Sequence, residues 1–384
     1  MNEKRILILN YEFPPLGGGG GVATKELAKG FITNGYQVDY LTSGYNDLKK
    51  TEIIDGINVF RVRGFGRKEI ATATFFSMLS FLFFGFFKGI SLCRKNKYEF
   101  INTHFVIPTG PLGWILSKVF RIKNILSIHG GDIYDPSLER SPHKHLYWRV
   151  IIRFIMDKAD FIVAQSSNTK ENAKKYYNPK KEIDIISLPY NKFNFSQKTK
   201  KEMGLDESKK YLISVGRLVK RKGFDYLLKA FSSIENENIE LIIIGNGGPE
   251  ESNLKEMAGN LNVASRVHFL NNIDTNEEKF QYLNVASIYV LSSLHEGFGI
   301  VLQEAMQVGL PVVATNNGGQ VDLIKDNMNG LLVSPKDSNQ LKTVILKLFN
   351  NEDVMDRMKK NNIEKIKEFN SEKISQKYLA LVKE

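Results

Sequence analysis

SSLHEGFGIVLQEAMQVGLPVVATNNGG, residues 292–319, is the stretch from which the fold can be read. The short apolar run Ile288–Leu291 before it reads as a buried strand. A loop follows that carries Glu296 and sets Gly297 and Gly299 on either side of Phe298. A helix is predicted from about Gly299 to Val308, and Pro311–Ala314 reads as the next strand. At the helix start the amides of Gly299, Ile300 and Val301 have no intrahelical acceptors. With a helix dipole equivalent to roughly +0.5 charge, they form a site for a phosphate. Glycine keeps that approach open. Glu304 lies about one turn further on, where a carboxylate can accept hydrogen bonds from ribose hydroxyls, and Glu296 faces the sugar side of a diphosphate.

The same alternation extends both ways along the chain. In the first half, strands are predicted at Ile6–Leu9, Gln37–Thr42, Asn58–Val62, Phe100–Thr103, Ile125–His129, Phe161–Ala164 and Ile183–Ile186, with a helix at Val22–Asn34. The second half restarts at Tyr211–Val215 and continues through Glu240–Ile244, Val267–Leu270 and Leu331–Val333. Strands alternating with helices imply parallel sheets covered on both faces. A length of 384 residues exceeds what one core usually supports. The expected architecture is therefore α/β, with two Rossmann-like doubly wound domains facing across a cleft, and ligands outside the carboxyl ends of the strands. The lysine-rich stretch from Leu188 to about Lys210 is the linker candidate. Domains are expected at 1–188 and 189–370, with a final helix at about 371–384 whose packing face is Ile374, Tyr378 and Leu381.

A second ligand loop, VGRLVKRKG at residues 215–223, also follows a strand. Arg217 offers a bidentate fork for phosphate oxygens and Lys222 a mobile point charge, with Arg221 as an alternative to Lys222. Two cations suit a departing nucleoside diphosphate without a metal, and no Asp-x-Asp element is present to carry one. Taken alone, the loop reads equally as a solvated basic turn.

These two segments resemble the retaining glycosyltransferases of family 4, which have the GT-B fold. Glu296 and Glu304, with seven residues between them, match that family's E-x7-E motif, and Arg217 with Lys222 match its phosphate-binding pair. The pattern continues through Gly309-Leu-Pro, Gly318-Gly319 and NGLLV at 329–333. The resemblance implies that Glu304 holds the ribose, Gly299–Val301 the distal phosphate, and Glu296 the donor sugar. It implies that Gly18 and Gly19, in the run Gly17–Gly21, approach the donor. In SIHGGD at 127–132 it implies that His129 touches the donor sugar. His104 and Asp132 read either as acceptor-side or as structural residues. The final helix is expected to cross back to the first domain. Departures are the five consecutive glycines, PYNKF at 189–193, and Asp322 in place of a glutamate.

The implied activity is transfer of a sugar from a nucleoside-diphosphate sugar to an acceptor hydroxyl with retention, independent of metal or other cofactor. The acceptor is expected to be a glycan or a lipid-linked molecule, as in cell-surface glycan, polysaccharide or glycolipid synthesis. Two other classes compete. A non-catalytic nucleotide or sugar binder would carry the same residues. An NAD-dependent oxidoreductase is suggested by the glycine run and by Asp39 about 20 residues on, although Asp39 sits inside a predicted strand.

Charge and composition add a setting. The formal charge of +11 is uneven: residues 1–200 hold 30 Lys and Arg against 17 Asp and Glu, and residues 201–384 hold 23 against 25. A basic first half points to an anionic partner, with a membrane surface favoured over a solvated face. No nucleic-acid-binding signature accompanies it. The run Phe75–Phe87 is 13 residues long, short of the roughly 20 needed to span a bilayer. It reads as a core helix or as an interfacial one whose Lys88, Arg94, Lys95 and Lys97 meet headgroups. Ile6–Leu9 is too short for a signal-peptide core, and Cys93 is the single cysteine. A cytoplasmic protein, peripheral at the inner membrane face, is the expectation.

Overall fold

A computed structural model describes residues 4–67, 70, 73–245, 247–273 and 275–383. The chain forms two compact units, Met1–Asn191 with Phe369–Glu384, and Lys192–Glu368. Glu384, the last residue of the expected terminal helix, lies outside the described residues.

The first unit is built on eight strands: β1 Arg5–Leu9, β2 Gln37–Ser43, β3 Thr51–Ile54, β4 Ile57–Val62, β5 Phe100–His104, β6 Lys123–Ile128, β7 Phe161–Ala164 and β8 Ile183–Ile185. Their order is β3-β4-β2-β1-β5-β6-β7-β8, parallel except for β3. The order reverses beside β1, so the loops after β1 and β5 flank a switch point where ligands bind. β3 is absent from the sequence reading. It is an edge strand of alternating burial, turned back on β4 at Asp55 (φ 51°) and Gly56 (φ 80°). That pair of left-handed residues makes a two-residue hairpin, for which Asp-Gly is the usual sequence signal.

The second unit holds six strands: β9 Lys210–Val215, β10 Ile239–Ile244, β11 Val267–Leu270, β12 Ile288–Leu291, β13 Val312–Thr315 and β14 Gly330–Val333. All are parallel in the order β11-β10-β9-β12-β13-β14, with the reversal between β9 and β12. β9 and β12 are the strands before the two ligand loops, so topology alone sets those loops side by side. The interiors of both sheets are continuous Ile, Leu and Val, as strands covered on both faces require.

The stretch expected as a linker is largely docked on the second unit. Phe193 and Phe195 stack on Phe280 with centroids 5.2 and 5.5 Å apart. Phe193 exchanges two 3.1 Å hydrogen bonds with the Gln307 amide.

The terminal helix Ser371–Lys383 packs in the first unit against the helix Gly19–Thr33. Ile374 and Tyr378 are buried in the same cluster as Ile6, Ile8 and Phe31, and the Tyr378 hydroxyl meets Ser127 Oγ at 3.1 Å. Close approach depends on Gly30, where any Cβ would run into the Ser371 carbonyl. Gly30→Val is expected to cost about 1–3 kcal/mol through overpacking. Urea titration should show it, and limited proteolysis should then release residues 371–383.

Candidate active site

In the second unit the two ligand loops are fastened to each other. Leu294 N–H donates to Arg221 O at 2.8 Å, and Ser292 Oγ donates to Lys222 O at 3.0 Å. Arg221 Nη1 donates to His295 O at 2.9 Å. Arg221 therefore ties the loops together, a structural task beside the role at the phosphate that the sequence left open to it.

Below them lies the double glycine. Gly319 N–H donates to Glu296 O at 2.7 Å, and a Cβ at Gly318 or Gly319 would strike the Glu296–Gly297 backbone. Gly318 also has φ +108°, a conformation only glycine adopts easily. The Gly318-Gly319 motif thus seats the glutamate loop.

Glu296 is buried, and Lys222 Nζ donates to its Oε1 at 2.5 Å. Ser293 Oγ donates to the same oxygen at 2.7 Å, and Arg221 stands 3.7 Å from Oε2. Burial by itself would raise the Glu296 carboxyl, but the Lys222 and Arg221 charges and the hydrogen bonds outweigh it and hold it below the usual range. The helix Ile300–Gln307 starts at Gly299, whose φ of +106° turns the chain from loop to helix. Leu302 N–H returns to Gly299 O at 2.9 Å, which leaves the amides ahead of it for an external acceptor. Arg217 is exposed on the loop after β9. Glu304, on the first turn past those amides, is held by Lys279 Nζ at 2.7 Å. Lys279 is missing from the sequence reading; it arrives from the helix Asn276–Val285, and no local motif marks it.

In the first unit the corresponding edge is a histidine relay. His129 follows β6, and its Nε2 lies 2.9 Å from His104 Nδ1 at the end of β5. His104 Nε2–H donates to Asn102 Oδ1 at 2.8 Å. The Thr24 hydroxyl spends its proton on Gly20 O at 2.8 Å. Because the one proton of neutral His104 is on Nε2, its Nδ1 accepts, and His129 Nε2–H donates to it. His129 is left with an unprotonated Nδ1, buried and without a partner among the described residues. That nitrogen is a bare acceptor suited to a hydroxyl. Burial drives His129 down to about 3 and, with the neighbouring His129 charge, His104 well below its usual range. Both stay neutral near pH 7.

Of the two readings open for His104, this geometry favours the structural one. Both of its ring nitrogens are engaged inside the fold, and it positions His129 instead. Asp132 has a similar duty: it accepts from His129 N–H at 3.0 Å and Val106 N–H at 2.7 Å, pinning the β6 loop to the β5 loop. Desolvation raises its carboxyl to about 6.

The glycine assignment shifts as well. Gly18 N–H donates to Glu12 Oε2 at 3.1 Å, so that amide is already spoken for, while Gly19 opens the helix Gly19–Thr33. Two positions in the run must lack a side chain: Gly17, at φ +90° beside Glu12, and Gly20. A Cβ at Gly20 would fall 2.6 Å from Phe105 Cζ and 3.5 Å from His129 Nδ1. Phe105 itself takes φ +69°, uncommon for an aromatic residue, and stacks on His129 with centroids 4.3 Å apart.

Asp39 does not serve a ribose. It is buried within β2, where Arg5 at 3.2 Å, Asn58 at 2.8 Å and Tyr98 at 2.5 Å saturate its carboxylate. The dinucleotide reading loses its acidic residue.

Comparison with known proteins gives the family and the fold. Residues 17–191 match the family described as Glycosyltransferase Family 4, and residues 195–365 the family described as Glycosyl transferases group 1. The N-acetyl-alpha-D-glucosaminyl L-malate synthase of Bacillus anthracis is 27% identical over 387 residues, 95% of this chain and 93% of that one. Among solved structures, sucrose-phosphate synthase from Thermosynechococcus elongatus superposes with a TM-score of 0.84 at 23% identity, covering 99% and 98% of the two chains. Anabaena HepE in complex with UDP and glucose gives 0.76 at 18% identity, covering 99% and 100%. The two parallel-sheet units are those of the GT-B fold.

The buried groups set a pH dependence. As pH falls through about 6, the unfolded chain protonates His104 and His129 more readily than the folded chain does, while the folded chain holds a proton on Asp132 more readily than the unfolded one. Two protons resisted by the fold against one favoured by it put the balance on the unfolded state, so stability falls as the pH drops. Urea titrations across that window should show the slope, and His129→Gln should remove most of it.

Proposed function

The chain belongs to glycosyltransferase family 4 and is a glycosyltransferase, and on that footing we propose that it transfers a sugar from a nucleoside-diphosphate donor to an acceptor hydroxyl with retention at the anomeric carbon. The observation that carries the reading is the Lys222–Glu296 pair at the positive start of the Ile300–Gln307 helix. Lys222 has three ammonium protons, so it can hold Glu296 and still donate to a phosphate oxygen. Glu296, fixed in its charged form, then accepts from donor-sugar hydroxyls. The amides of Gly299, Ile300 and Val301 and the Arg217 fork receive the phosphates, and Glu304 accepts from the ribose. HepE, which shares the fold, holds UDP in its solved complex, which supports a nucleotide donor.

In the reaction the bond from the anomeric carbon to the diphosphate oxygen breaks and one to the acceptor oxygen forms on the same face. The acceptor proton passes to the leaving phosphate oxygen. Charge that builds on the diphosphate meets Lys222, Arg217 and the helix amides, which are fixed in place beforehand. These cations take the part a metal plays elsewhere, and no cofactor enters the step. His129 Nδ1 accepts a hydrogen bond from a donor-sugar hydroxyl, and Gly18–Gly20 leave room for it. With a neutral His129, catalysis should show no protonation step belonging to that residue near pH 6–7.

The acceptor is a glycan or lipid-linked molecule of cell-surface, polysaccharide or glycolipid synthesis, and the protein works in the cytoplasm at the inner face of the membrane. A panel of UDP- and GDP-sugars, screened for slow donor hydrolysis, identifies the donor. Lys222→Ala should lower kcat/KM on it by about 10²-fold or more, and an unchanged value would remove Lys222 from the mechanism. Glu304→Ala should raise KM and weaken the free nucleotide, read by calorimetry. Tight donor binding with no nucleotide release would point to the non-catalytic binder instead.

A further inference from the structure

The first unit carries an apolar face that its own core does not use. The helix Phe75–Lys95 is 21 residues long, and it turns Phe81, Gly85, Gly89 and Leu92 inward. Gly85 and Gly89 admit Leu112 and Leu116 of the helix Gly110–Phe120. By length and composition this helix could cross a membrane, but a lipid-surrounded span would have to abandon that packing. Its opposite stripe is Phe75, Phe76, Leu79, Phe83 and Phe87, all between 47% and 72% exposed. The helix Leu146–Lys158 repeats the arrangement: Ile152, Ile155 and Met156 face in, while Leu146, Tyr147 and Val150 stand 59–73% exposed. Trp114 and Phe154, with rings 5.1 Å apart, join the second and third of these helices.

Charge decides what covers this face. Across the three helices there is one acidic residue, Asp157, against seven Lys and Arg. Asp157 pairs with Arg153, Arg149 donates to Tyr176 O, and Lys158 lies over Phe154, while Arg94, Lys95 and Lys118 are exposed. A second copy packed about a two-fold axis would bring those cations together. An anionic lipid surface accepts the aromatic stripe into its interface and the cations at its headgroups. Lys88 is not among the headgroup contacts expected of it, for its ammonium is folded 4.5 Å over the Phe60 ring. Arg94, Lys95 and Lys97 remain exposed. The amino-terminal turns of both outer helices lie at the carboxyl edge of the sheet. There Ile70 O accepts from Gly17 N–H at 3.0 Å, tying the approach to the Phe75–Lys95 helix to the glycine loop.

We propose that the aromatic stripe of the Phe75–Lys95 helix, with the exposed start of the Leu146–Lys158 helix, is the surface by which the protein docks on an anionic bilayer. Docking there brings the glycine loop and His129 to the lipid surface, so the acceptor is an amphiphile anchored in it. This last step rests on the glycosyl-transfer reading; the docking surface does not.

The test is sedimentation of the full chain with phosphatidylcholine vesicles, with and without phosphatidylglycerol. Binding should require the anionic lipid and weaken with salt. The double variant F83D/F87D should lower the partition at least about tenfold. Its melting temperature and its kcat/KM for donor hydrolysis should stay unchanged. Equal sedimentation with neutral and anionic vesicles, or undiminished binding by the variant, overturns the proposal. So does a wild-type dimer that the variant dissolves without any vesicle binding, which makes the face an interface between copies. Loss of donor hydrolysis in the wild type alongside intact vesicle binding would overturn the glycosyl-transfer reading and leave the docking surface standing.

Discussion

A carboxylate kept charged inside a protein needs compensation on every side, and Glu296 is such a carboxylate. Desolvation pushes it toward neutrality; Lys222, Arg221 and the Ser293 hydroxyl push it back. Much of the surrounding architecture follows from that requirement. The loop after β9 must reach the loop after β12, so those strands must be neighbours, which the reversal in strand order provides. The double glycine must lie flat beneath Glu296, so neither Gly318 nor Gly319 tolerates a side chain. What results is a carboxylate and an ammonium fixed beside the positive end of a helix before any ligand arrives. Groups already in place are the economical means of stabilising charge that develops in a reaction.

The first unit solves a different problem with neutral groups. His104 and His129 form a directed chain, anchored by Asn102 and fed by no charge, which ends in a single unprotonated nitrogen. Such a nitrogen recognises a hydroxyl without offering it a proton. Asp132, Gln165 and Phe105 hold the ring from three sides: Asp132 through the His129 amide, Gln165 through the His129 carbonyl at 2.7 Å, and Phe105 by stacking. The left-handed backbone at Phe105 fits this account, since such conformations persist where surrounding structure fixes them.

Much of this was legible in the chain. Apolar runs located nearly every strand to within a residue or two, because a strand buried on both faces leaves a dense Ile, Leu and Val signature. The exception was β3, an exposed edge strand with no such signature, although Asp55-Gly56 carried the turn. The helix start with its free amides was readable because Gly299 and the residues around it are contiguous in sequence. The glycine run was harder. Five glycines share one composition; the ring of Phe105, just past β5, marks Gly20, while a left-handed backbone beside Glu12 marks Gly17.

The sequence by itself determined what depends on short-range order: the periodicity of strands and helices, the helix amides at Gly299, the identity of the acids and bases in each loop, and the uneven charge of the two halves. Tertiary structure alone decided which of those groups meet. It paired Lys222 with Glu296 and Lys279 with Glu304, set His104 behind His129 as its support, buried Asp39, and folded Lys88 over Phe60. Each of these is a contact between residues 25 or more positions apart, or a choice between solvent and interior. Local pattern carries no information about either, because side-chain partners across a sheet are fixed by strand order and register rather than by neighbours along the chain.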